Sequence, residues 1–93
     1  MEELDVKTLQ SDLKNYDMYL LADEVPLRED LFLTVIGEED TVLIELKEYT
    51  PDNKTYQAMS SMSKDKFLEA TPEEFNNFIN QTYFYNMIEM EEF

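Results

Sequence analysis

The spacing of apolar positions changes several times along this chain, and each change marks an element. Val6, Leu9, Leu13 and Tyr16 recur at helical intervals with Lys7, Gln10, Asp12 and Lys14 between them. With Asp5 in the N-cap place, this predicts an amphipathic helix over residues 6–15. Met18, Leu20 and Ala22 then alternate with Asp17, Tyr19 and Leu21, the period of a short strand. The polar stretch 23–30 contains Pro26 and reads as a loop. Residues 31–36, Leu-Phe-Leu-Thr-Val-Ile, form an apolar, β-branched run, and residues 41–49 form a second with Val42, Ile44 and Leu46 on one face. Only Gly37-Glu38-Glu39-Asp40 separates them, so the pair predicts a β-hairpin with three adjacent carboxylates at its apex.

Thr50-Pro51-Asp52-Asn53-Lys54 has proline in the second position of a type I turn, followed by turn-forming Asp and Asn. Residues 55–62 return as a third strand of the meander, with Tyr56, Ala58 and Met62 toward the core. Thr71-Pro72-Glu73-Glu74 is a capping box with proline in the first turn, which starts a helix there. Phe75, Phe78, Ile79 and Thr82 share one face of it and Asn76, Asn77 and Asn80 the other. Phe75, Ile79 and Tyr83 are expected in the core. From Tyr83 to Ile88 the chain is apolar or aromatic nearly all round, so that segment is either clasped by its own domain or turned partly toward something else. The fold expected is α+β: one domain over residues 1–93, with a small antiparallel sheet of three to four strands packed against an N-terminal and a C-terminal helix.

Charge narrows the function. The 93 residues carry 22 Asp or Glu against 7 Lys or Arg and no His, a formal charge of −15. Such self-repulsion works against the compact state, yet 43% hydrophobic and 13% aromatic residues supply enough material for a core. Naked nucleic acid and anionic membranes are excluded as general partners, since both are bound through Lys and Arg. Without His or Cys the commonest general base, the thiolate nucleophile and the usual zinc ligands are absent. The single glycine, Gly37, rules out a phosphate-cradling glycine loop. No stretch has the alternating oxygen ligands of a calcium loop, and two thin layers leave little room for a desolvated carboxyl pair. The chain is therefore expected to be no enzyme and to use no cofactor or metal. An acidic start, the lack of a membrane-length apolar run and the absence of Cys favour a cytoplasmic protein, in the host cell if phage-encoded.

The acids are unevenly distributed. Residues 23–48 hold nine (Asp23, Glu24, Glu29, Asp30, Glu38, Glu39, Asp40, Glu45 and Glu48) against two bases, Arg28 and Lys47, and no base follows Lys66. Duplex phosphates recur every 6 to 7 Å or so along a strand, and alternate residues on one β-strand face are also about 6 to 7 Å apart. Carboxylates fixed on a sheet can therefore stand in for phosphates. Solubility and halophilic adaptation also produce acidic surfaces, but a small domain stays soluble with a net charge of about 2 to 8. In composition and size the chain resembles the small acidic DNA-mimic proteins that phages and mobile elements deploy against restriction or CRISPR enzymes, a class of unrelated folds with no shared motif. The resemblance implies a decoy that blocks the nucleic-acid-binding groove of a basic protein such as a nuclease, with those nine acids as its contact set. The alternative is a protein-interaction module, monomer or homodimer, acting through its aromatic C-terminal helix, with Phe84, Ile88 and Phe93 as the candidate apolar interface.

Overall fold

The computed structural model describes residues 5–16 and 19–90. Phe93 and Met18 lie outside the described residues. The chain runs α1 (Val6–Tyr16), β1 (Leu20–Arg28), β2 (Leu31–Gly37), β3 (Thr41–Tyr49), β4 (Thr55–Ser63), α2 (Lys64–Glu69), α3 (Pro72–Asn86) and β5 (Ile88–Glu89). The five strands form one antiparallel meander in sequential order. The α+β architecture with N- and C-terminal helices is that expected from the sequence, with a further strand and a further helix.

The helix starts follow from local chemistry. Asp5 caps α1, accepting from the Thr8 backbone N–H at 3.2 Å and from its hydroxyl at 2.7 Å, and these bonds hold the Asp5 carboxyl below its ordinary pKa. Thr71 and Glu74 exchange the two hydrogen bonds of a capping box, 3.1 and 3.0 Å, at the start of α3. Between β3 and β4, Asn53 N–H donates to the Thr50 carbonyl at 3.1 Å, closing the turn that Pro51 pre-sets, and Asn53 itself is left-handed at φ 63°. The short helix α2 was not anticipated. Ser63 caps it, accepting from Lys66 N–H at 3.1 Å, and its purpose in the fold is to drive Phe67 into the core.

Residues 23–30 correct the sequence reading most. They do not form a loop: β1 continues through Pro26 to Arg28, and only Glu29 and Asp30 turn. The strand lies at the sheet edge, where a proline's missing N–H removes no obligatory ladder bond. Its pairing with β2 shifts register between Ala22 and Val25, a bulge in which Glu24 takes φ 48° and its N–H reaches the Thr34 hydroxyl at 3.2 Å.

All three helices pack on one side of the sheet. Leu31, Leu33, Val35, Val42, Ile44, Leu46, Ala58 and Met62 point to that side and are buried with Val6, Leu9, Leu13, Phe67, Phe75 and Ile79 in a single cluster. Tyr83 packs against it half-buried. Phe67 and Phe75 meet edge to face, ring centroids 5.5 Å apart. Two polar ties accompany the apolar packing. The Gln10 amide donates to the carbonyls of Phe67 and Ala70, fastening α1 to α2, and the Ser60 and Thr82 hydroxyls lie 2.7 Å apart between β4 and α3.

A candidate protein-interaction surface

With the helices on the inner side, the outer side of the sheet carries the alternate residues. Strand pairing arranges them in rows across the strands. Pro26, Phe32, Lys47, Gln57 and Ile88 form one row. Thr34, Glu45 and Met59 form the next, and Leu20, Ile36, Leu43 and Ser61 the one beyond. Phe32 and Tyr49 touch edge to face at 5.8 Å on this side. None of these side chains belongs to the core cluster or packs against it. Thus the outer side has two apolar patches, Pro26–Phe32–Tyr49 and Leu20–Ile36–Leu43, separated by Thr34 and Glu45.

The acids expected to meet a partner fall around this side, in three groups. Glu38, Glu39 and Asp40 make the exposed turn between β2 and β3, closed by Glu38 N–H to the Thr41 carbonyl at 2.8 Å. Glu29 and Asp30 make the exposed turn at the opposite end, where Asp30 takes φ 66°, a conformation Asp tolerates better than branched residues. Asp52, in the neighbouring turn, shares that end, and its hydrogen bond from the Thr50 hydroxyl lowers its pKa. Asp23 and Glu24 project from the β1 bulge along the edge. Since β2 has seven residues, the two acidic ends stand about 23 Å apart at ~3.3 Å per residue. Glu45 sits singly in the middle of the outer side, half-buried between Thr34 and Met59.

Glu48 stands apart from the other eight. It points to the inner side, accepting from Arg28 Nη2 at 3.0 Å and from the Tyr83 hydroxyl at 3.0 and 3.1 Å. The Arg28 guanidinium also donates to that hydroxyl at 2.7 Å and lies 4.9 Å from the centroid of the Tyr83 ring. The Glu48 hydrogen bond, above all, raises the Arg28 pKa, with partial burial opposing it. This cluster ties β1 and β3 to α3, so Glu48 serves the fold and is already paired with a cation.

The C-terminal aromatic segment divides. Phe75 and Ile79 are buried, whereas Phe84 is 77%, Tyr85 84% and Ile88 65% exposed. The Asn86 amide donates to the Met59 carbonyl at 2.9 Å, which brings the end of α3 beside β4.

The residues that sequence reasoning missed are the outer-side Phe32, Ile36, Leu43, Tyr49 and Met59. A signal for them exists: residues 31–36 do not alternate, so whichever face turns inward, the other stays apolar. Among the described residues, no three Asp or Glu side chains converge as a metal site would require, and no helix is long and apolar enough to cross a membrane. The groove between α2 and α3 is bordered by Lys66, Glu69, Glu74 and Asn77 and presents no nucleophile paired with a base. Compared with known proteins, the chain matches no family model, no curated protein and no solved structure.

Proposed function

We propose that this protein is a small, non-enzymatic acidic inhibitor that occupies the nucleic-acid-binding surface of a basic protein, its carboxylates taking the place of phosphates. The observation that carries this reading is the placing of seven exposed acids, Asp23, Glu24, Glu29, Asp30, Glu38, Glu39 and Asp40, on a bulge and two tight turns of one sheet. Held there, they lose little freedom on binding, and their shared sign speeds encounter with a basic surface. The reading is tested on the basic protein recovered from host lysate at low salt. Duplex DNA should displace the inhibitor from it, affinity should fall as salt rises, and the double variant Glu38→Lys, Asp40→Lys should bind at least tenfold more weakly. Binding indifferent to DNA, to salt and to that variant overturns the proposal.

The exposure of Phe84, at the end of α3, and of Ile88, which lies past the helix in β5 rather than on it, supports a second reading, an interaction module or dimer that uses the C-terminal segment. Here Phe84→Ser with Ile88→Ser would abolish association while the hairpin charge reversals did little, and sizing in low and high salt would show whether the chain pairs with itself.

A further inference from the structure

Among the described residues, no helix or second sheet covers the outer side of the sheet. An α+β domain buries each apolar sheet surface against something, and here Phe32, Ile36, Leu43 and Tyr49 are shielded only by one another and their neighbours among the described residues. A second copy of the chain is a poor occupant. Acids stand at both ends of this side and along the β1 edge, so any face-to-face pairing sets carboxylates against carboxylates, between chains of −15 each. The occupant must instead be apolar along its middle and cationic at its ends.

Length and charge specify it further. The ~23 Å between the acidic turns is the length of about 15 residues of α-helix at ~1.5 Å per residue. In the middle of the face Glu45 stands one row from Lys47, so a cation gains little there, whereas the ends offer Glu38, Glu39 and Asp40 on one side and Glu29, Asp30 and Asp52 on the other. We propose that the outer side of the sheet seats an amphipathic helix of the partner protein, about four turns long. Its apolar stripe lies across Phe32–Tyr49 and Ile36–Leu43, and its Lys or Arg residues, gathered in the first and last turns, meet the acidic turns. This supplies the second layer of the domain from the partner and gives recognition a shape requirement that charge alone does not impose. The inference rests on the proposed function only in taking the partner to be basic; it does not require the partner to bind nucleic acid.

The test uses isotope-labelled protein and two synthetic peptides about four helical turns long. One has a leucine stripe with lysines confined to its first and last turns. The other has the same composition with the lysines moved to the middle and the stripe scrambled. The proposal expects chemical-shift changes concentrated on residues 32–36 and 43–49, with the scrambled peptide binding at least tenfold more weakly. Ile36→Thr and Leu43→Thr, which keep a strand-compatible residue on a face outside the core, should each weaken the first peptide at least tenfold in protein shown by its melting to be folded. Equal binding of both peptides, shifts confined to Phe84 and Tyr85 at the end of α3, or no binding at low salt overturns the proposal. The outcomes separate the two readings. Peptide binding here, with the basic protein indifferent to DNA, sinks only the decoy. Displacement of the protein from its partner by DNA, with no peptide seated on this face, sinks only the helix.

Discussion

The two sides of β3 lie within one strand and meet opposite surroundings. Val42, Ile44 and Leu46 are fully buried beneath the helices, while Leu43, Glu45 and Lys47, their immediate neighbours in sequence, face outward and partly exposed. The inner residues hold the domain together by excluding water, and the outer ones contribute little to that. Stability therefore rests on one set of alternate residues, and the recognition proposed above falls to the other set of the same segment. A substitution can damage one and spare the other.

The sharpest way to break this comparison is to truncate neighbours on opposite sides. Ile44→Ala should destabilise by about 2 to 5 kcal/mol, since it leaves a cavity at the centre of the core. That is a large share of the roughly 5 to 15 kcal/mol available to a domain. Leu43→Ala should cost no more than about 1 kcal/mol, as for a surface change. Urea unfolding of both measures the contrast, and equal losses would mean that the outer side is covered too. Next in size is Tyr83→Phe, which removes the hydroxyl shared by Arg28 and Glu48 and should cost about 1 kcal/mol in the same measurement, the usual net worth of such a bond. It should also loosen α3 from the sheet, seen as faster amide exchange in residues 79–86.

The smallest effect concerns pH. The hydrogen bonds from Thr71 hold the Glu74 carboxyl below its ordinary pKa of 4.5. A lowered folded-state pKa contributes stability that is present above that value and is lost as pH falls through the lower, folded value. Glu74→Gln keeps the capping bond but cannot titrate. The decline of melting temperature below pH 4.5 should become shallower in this variant, which starts from a slightly lower value at pH 7 and meets the parent protein at low pH. An unchanged acid limb would show that the capping carboxylate is not linked to folding.

How much of this was legible in the sequence depends on whether the signal was local. The capping box at Thr71 and Glu74, the turn at Pro51 and the hairpin around Gly37 were readable because each is a contract among residues a few places apart. The extension of β1 through Pro26 was not, because an edge position excuses a proline that a central strand would reject, and edge or centre is decided by tertiary order. The six-residue α2 is too short for periodicity to declare, although Ser63 before Asp65 is the mark of its cap. At the candidate site, the concentration of acids between Asp23 and Glu48 was plain. Its division was not: strand register sends Glu48 inward to Arg28 and Tyr83, and leaves an apolar surface between acidic ends.

The irregular edge strand has a consequence for the whole molecule. An unpaired sheet edge beside an apolar surface is an invitation to grow, adding strand after strand from neighbouring chains into a fibril. The bulge at Glu24, the proline at position 26 and the outward carboxylates of β1 spoil one edge as a template, and the two residues of β5 occupy part of the other. With one edge irregular and the other partly occupied, the sheet is a poor template for a further strand from a neighbouring chain.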